Sequence, residues 1–235
     1  MSFVLRIRRA ETPFYAALKR LAKGFATFEI PGLVILAPVL RAISFLGSSA
    51  VAAGRRILVA LYRAPLFRSR CVSVGKNLYL EQSPSVSGHA RISIGDDVCI
   101  SGDLVIVSSH VFDDPEVIIG KRVFIGHQVT IHASKRVTIE DGALISALCY
   151  IADSDDHPHD RDLRARGLPA PPDEIRPVHI GRDAWLGRGC FVLKGVTIGE
   201  GAIVGAGSVV RNDVPRFSIA VGNPARTVMR LPSSE

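Results

Sequence analysis

Hydrophobic positions in this chain follow two different spacings, one on either side of residue 70. From Ile180 the period is six: the segments read IGRDAW, LGRGCF, VLKGVT, IGEGAI, VGAGSV and VRNDVP. Their first positions are Ile180, Leu186, Val192, Ile198, Val204 and Val210, all aliphatic. Their fifth positions, Ala184, Cys190, Val196, Ala202, Ser208 and Val214, are small or β-branched, and Gly fills the second position in four of six. Shorter runs occur upstream at IGDDVC (94–99), IGKRVF (119–124), IGHQVT (125–130) and 139–150. A six-residue repeat suits short strands joined by tight turns, with three strands closing one triangular coil. The aliphatic residues then point inward and stack between coils, and glycine supplies turn geometries closed to other residues. Cys149 and Cys190 fall on inward fifth positions and read as small core residues.

The first 70 residues are patterned differently. Thr12-Pro13 reads as a helix cap followed by proline in the first turn. Phe14, Ala17, Leu18, Leu21, Phe25 and Phe28 recur at three- and four-residue steps, with Lys19, Arg20 and Lys23 off that stripe: a basic amphipathic helix. Residues 30–40 and 42–54 carry no charge and are separated only by Arg41, and Pro31, Pro38, Gly47 and Gly54 are expected to break the run below the roughly 18–20 residues a spanning helix needs. A second helical piece is expected at Ile57–Tyr62, then a linker at Ala64–Arg70. The reading is thus an appendage over 1–70, a repeat domain over 71–230 and a short tail over 231–235.

Charge sharpens this division. Residues 1–70 hold 12 Lys/Arg and two acids, whereas residues 71–235 hold 17 Lys/Arg against 20 Asp/Glu. The larger part is mildly acidic, which argues against a nucleic-acid groove. The appendage either packs on protein or lies on an anionic membrane surface through residues 1–65. Four cysteines without a CxxC pair point to reduced thiols and exclude a zinc ribbon. Met1–Ala10 is basic, but no apolar core and cleavage site follow it, so a secretory signal is not expected and the setting reads as cytoplasmic, on the inner membrane face if the appendage binds lipid.

The repeat is interrupted once at length, between Ile151 and Val178, where five prolines stop the coil and Asp153, Asp155, Asp156, His157 and His159 are concentrated. Such an excursion from a regular solenoid is usually functional. An imidazole of near-neutral pKa can remove a proton from an acceptor hydroxyl, with nearby carboxylates fixing its tautomer.

The pattern over residues 72–230 resembles the hexapeptide-repeat acyltransferases, whose fold is a left-handed parallel β-helix: an all-β solenoid, here with an α-helical appendage. The ordered stretches DSDDHP, PVHIGRDAWLGRG, GVTIGEGAIVGAGSVVRNDVP and VGNPAR are similar to the maltose, galactoside and xenobiotic O-acetyltransferase branch. That resemblance implies an acetyl-CoA-dependent O-acetyltransferase with loop 152–177 as its catalytic loop. It implies His157 as the base, supported by Asp155 and Asp153, with His159 as the local competitor. Trp185, Gly187, Ala206 and Arg211 are implied along the pantetheine and diphosphate arm, and Arg226 near the adenosine phosphates. It further implies a homotrimer with the cofactor groove between subunits and no metal. The acceptor is expected to be a sugar or lipid-linked saccharide in cell-surface glycan synthesis. Where the branch carries an acceptor-contacting Asn, this chain has Gly126 beside His127, and the branch's acidic acceptor residue falls near Ser134; His127 and Ser134 are therefore the expected acceptor contacts.

Two other activities compete. The same fold and the same His157 would serve N-acylation of a nucleotide sugar or antibiotic. The segment SHVFDDPEVIIGKRVFIGHQVTIH also resembles part of the γ-class carbonic anhydrases, in which three histidines bind zinc across a subunit boundary; His110, His127 and His132 are the candidates here. That reading leaves the DSDDHP loop and GNPAR segment without a purpose, as does a non-catalytic scaffold.

Overall fold

The computed structural model describes residues 12–26 and 37–232, and the chain divides into two units, Met1–Gly54 and Arg55–Glu235. In the second unit, six coils rise in order, each contributing one short strand to each of three sheets. The fourth coil, for example, is Arg136–Ile139, Leu144–Ile145 and Tyr150–Ala152, and the fifth is Val178–Ile180, Trp185–Leu186 and Phe191–Val192. All pairings between coils are parallel, and apart from a register shift between Cys71 and Ser73 in the first coil they run in register, as in Ile139↔Ile180, Ile145↔Leu186 and Ile151↔Val192. Only the final hairpin, Ser218–Gly222 with Ala225–Arg230, is antiparallel, closing one end of the second sheet. The architecture is a left-handed parallel β-helix.

The six-residue period now has a physical cause. Ile180, Leu186, Val192, Ile198 and Val204 are completely buried, and so are Ala184, Cys190, Ala202 and Ser208 at the fifth positions. Each large aliphatic side chain stacks on its counterparts above and below, and complete burial of one contributes about 1.5–3 kcal/mol. The Cys190 thiol donates to the Gly205 carbonyl at 3.2 Å and that of Cys149 to Gly187 O at 3.2 Å. Its contact with Cys149, together with burial, pushes the Cys190 thiol well up from its ordinary range, consistent with a core residue and not a nucleophile.

Glycine has two places in the repeat: Gly142, Gly189, Gly195, Gly201 and Gly207 take the expected left-handed turn backbone, whereas the second-position glycines serve a different purpose. Second-position Gly187 has no left-handed backbone; a Cβ there would sit 2.6 Å from Ala206 N in the next coil. Close approach of successive corners is what excludes a side chain. The left-handed residues come later in each corner and are often not glycine: Asn77, Asp97, Arg122 and Asp183 between the first and second sheets, Gln128 and Leu148 between the second and third. Their strain is offset by continuing the ladder through the corner, as in Arg122 N–H to Asp96 O at 2.9 Å and Leu148 N–H to His127 O at 2.8 Å.

The N-terminal part departs from expectation in one respect. Pro13–Ala26 is helical and capped by Thr12, whose hydroxyl accepts from Tyr15 N–H at 3.4 Å; Phe28 lies outside the described residues. Helix Ala37–Leu58, however, continues through a π-helical turn, Val59–Arg63, into Ala64–Ser69, so the expected break before Ile57 and linker at 64–70 are absent. Pro38 sits in the first turn, where its missing N–H costs nothing. Gly47 and Gly54 are surrounded by open space. The resulting 33-residue helix is long and apolar enough, by length and composition alone, to cross a membrane.

Leu186→Ala should test the stacked core. Removing this fully buried side chain is expected to cost about 2–5 kcal/mol, read as a lower urea midpoint with an unchanged slope.

Candidate active site

The long excursion leaves the fourth coil after Tyr150–Ala152, at the corner between the third and first sheets, and returns at Val178 without shifting the ladder: Val137 pairs directly with Val178. Its two ends are tied together where Arg176 N–H donates to Asp153 O at 3.0 Å. Within it, the Asp160 carboxylate caps the short helix Arg161–Ala165 by accepting from Asp162 and Leu163 N–H, and Ala170 N–H returns to Asp156 O at 3.0 Å.

The acidic residues of this loop have separate tasks. Asp153 is fully buried, and its carboxylate accepts from the backbone N–H groups of Ser134, Lys135 and Arg136 at 2.7, 2.6 and 2.7 Å. Burial raises its pKa, against the pull of those three donors. Both oxygens are thus committed to the neighbouring turn, and the expected partnership of Asp153 with the histidine is not made. Ser134 is corrected by the same contact: it is completely buried beneath the loop and offers no surface to an acceptor.

Asp155 is gripped by Lys194, whose Nζ lies 2.6 Å from Oδ2, and by His159 Nε2 at 3.1 Å. Burial opposes ionisation of Asp155, but the hydrogen bonds from Lys194 and His159 outweigh it and hold the carboxyl below its usual range. Asp156 adopts a left-handed backbone, φ 67°, and its Oδ1 lies 2.7 Å from Nδ1 of the buried His132. Aspartate tolerates this conformation better than most residues. Neither Lys194 nor the His132–Asp156 pair was expected from sequence. The only trace of Lys194 is a lysine in a repeat corner largely built of small residues, and its partner is 39 positions away.

Between these anchors lies His157. Its backbone N–H is bonded to Asp155 O at 2.8 Å, its side chain is exposed, and among the described residues nothing bonds its imidazole. His159 is the reverse: Nε2 faces Asp155 and Nδ1 lies 3.4 Å from Glu174 Oε2. One histidine is structurally engaged and the other is left free beside it.

The remaining candidates occupy more than one edge of the prism. Arg211 lies on the third-to-first corner, one coil beyond Lys194 and on the same edge as the loop. Trp185, Gly187 and Ala206 belong to the second sheet and its corner with the third. The Trp185 indole is 46% exposed and donates to Ser146 Oγ at 3.2 Å. Exposed Ala206 stacks directly on Gly187. Arg226, exposed on the closing hairpin, pairs in register with Val221, which covers Gly205 of the same corner. His127 is on this corner too, with Nε2 3.1 Å from Ser101 Oγ and 3.6 Å from Glu81 Oε2. Its imidazole lies over Gly102, where a Cβ would collide with it.

The three histidines considered for zinc do not share a point within the chain. His110 stacks on His89 with centroids 4.9 Å apart, His127 faces Ser101, and His132 holds Asp156. Among the described residues no three His, Cys, Asp or Glu side chains are grouped as metal ligands.

Comparison with known proteins agrees with the repeat. Residues 177–212 match the bacterial transferase hexapeptide family (six repeats), and residues 116–152 match the hexapeptide repeat of succinyl-transferase. A probable acetyltransferase of Mycobacterium tuberculosis is 35% identical over 160 residues, 67% of this chain and 49% of that protein. Nodulation protein L of Rhizobium leguminosarum is 48% identical over 118 residues, 49% of this chain and 60% of that protein. The chain therefore spans about half to three-fifths of the length of these curated relatives. Among solved structures, galactoside acetyltransferase in complex with coenzyme A is 26% identical, covering 72% of this chain and 70% of its own, with a TM-score of 0.52. A variant of an N-acyltransferase from Bacillus cereus, in complex with dTDP and coenzyme A, shares the fold at 23% identity and TM-score 0.58, covering 72% and 89%. With its stacked six-residue coils and these matches, the chain belongs to the hexapeptide-repeat transferases.

Proposed function

We propose that this protein is an acetyl-CoA-dependent O-acetyltransferase in which His157 is the general base. The observation that carries the reading is the contrast within the loop: His157 is exposed and unengaged while Asp153, Asp155, Asp156 and His159 are all committed to holding the loop in place. His157 takes the proton of an acceptor hydroxyl as that oxygen attacks the acetyl carbonyl. The C–S bond then breaks, and the imidazolium returns its proton to the departing thiolate. Backbone N–H groups of a coil corner stabilise the oxyanion. The acceptor is a sugar or lipid-linked saccharide, in keeping with the sugar-directed galactoside acetyltransferase among its structural neighbours. N-acylation of a nucleotide sugar or antibiotic is the alternative; the Bacillus cereus N-acyltransferase, whose structure holds dTDP and coenzyme A, has the same fold.

Acetyl-CoA lies along the corner of Gly187 and Ala206, with Trp185 beside the pantetheine arm and Arg226 on the phosphates. His157 and Arg211 belong to a different edge of the same prism, so the site is completed by a second copy that brings its corner against this loop. A homotrimer satisfies this for every copy through one repeated interface. The outer face of the second sheet supports the arrangement. Its in-register row runs Tyr79, Cys99, Phe124, Leu144, Trp185, Ile203 and Ile219, apolar throughout. A face of that kind is expected to be covered by protein.

Three outcomes follow. His157→Gln should lower kcat by roughly 10²–10⁴-fold, with coenzyme A binding by calorimetry unchanged. His159→Gln should cost far less, and the opposite ranking would transfer the base role to His159. Co-expressed His157→Ala and Arg226→Ala chains, each poorly active alone, should recover about a quarter of wild-type activity per site if random trimers share sites between copies. No recovery would place the whole site within one chain. Because the Asp155 carboxyl is held low, its ion pair adds stability above the ordinary carboxylate range and loses it as pH falls through the depressed value. The Tm difference between wild type and Lys194→Met should therefore be full above about pH 5 and shrink as pH falls below the ordinary carboxylate range.

A further inference from the structure

The first unit carries a feature the reaction does not use. In the helical segment 37–54, Val39, Ile43, Leu46, Ala50 and Ala53 recur at alternating steps of four and three and form one face. All five are exposed, with Ile43 at 61% and Leu46 at 66%. Arg41 and Ser48 fall on the opposite face. Helix Pro13–Ala26 repeats the arrangement, with Phe14 and Leu21 exposed and Lys19, Arg20 and Lys23 off their stripe. Charge is one-sided as well: no acidic residue occurs between Glu29 and Glu81, while Arg41, Arg55, Arg56, Arg63, Arg68, Arg70 and Lys76 all do.

We infer that these helices lie in the plane of an anionic bilayer surface, apolar face toward the acyl chains and arginines at the headgroups. An apolar stripe needs a cover, and a basic flank with no acid nearby is complementary to anionic lipid. Lying in the plane fits better than spanning. The uncharged run 42–54 is 13 residues, about 20 Å as helix, against a hydrocarbon core of about 30 Å. Any longer window within Ala37–Ser69 places Arg41 or Arg55 and Arg56 in the hydrocarbon. The inference is independent of the proposed reaction.

The test is co-sedimentation of the full chain with vesicles of phosphatidylcholine alone and with about 30 mol% phosphatidylglycerol. Binding to the anionic vesicles should exceed that to neutral ones by at least about tenfold and weaken between about 0.1 and 0.5 M salt. Two variants with wild-type circular dichroism should each reduce it by about tenfold or more: Leu46→Asp on the apolar face, and Arg55→Glu with Arg56→Glu for the charge. No vesicle binding, equal salt-independent binding to both compositions, or full binding by both variants would overturn the inference. Retention after alkaline carbonate extraction would also overturn it, in favour of a spanning helix.

Discussion

The structure depends on the vertical stacking of inward aliphatic side chains at a fixed coil-to-coil spacing. No single coil can bury its own Ile, Leu or Val; each is covered only by the coils above and below, so burial and register are one requirement. Everything else in the second unit accommodates that spacing. Fifth-position residues are small because the corner has no room, Gly187 lacks a side chain because the next corner lies against it, and residues such as Asp183 accept a left-handed backbone to keep the ladder unbroken through the turn.

This explains what could be read from the chain and what could not. The β-helix was legible because its core is a strict one-dimensional pattern, with Ile180, Leu186 and Val192 marking three faces of one coil. His157 was legible because it sits in the one long stretch that breaks the pattern. Lys194, His132 and the true role of Asp153 were hidden because their partners lie 17 to 39 positions away in the chain, and no local spacing records which corner lies under a loop. Ser134 was misread for the same reason: its neighbourhood in the chain looks like an exposed corner, yet the returning loop seals it. The helix from Ala37 was misjudged differently. Proline and glycine were given full weight as breakers, whereas Pro38 occupies the first turn and Gly47 and Gly54 cost only propensity.

The loop is held by charges that would repel one another if left alone. Asp153, Asp155 and Asp156 fall within four consecutive positions, with one serine among them, and each is held by a different element: backbone donors, Lys194 and His132. Distributing three carboxylates among three partners fixes the chain just before His157, and the contacts of His159 with Asp155 and Glu174 fix it just after, while the imidazole of His157 is left unclaimed. Rigidity is placed in the flanks and chemical freedom in the residue between them.

The fastening of Asp153 to Arg176 has a further consequence. Since the ladder passes from Val137 to Val178 with no change of register, the solenoid does not sense how much chain lies between. The length and composition of the excursion are uncoupled from the pitch of the coils. Such a scaffold can exchange the segment that meets its acceptor without rebuilding the layers that give it stability, so selectivity and folding are free to evolve along separate stretches of the same chain.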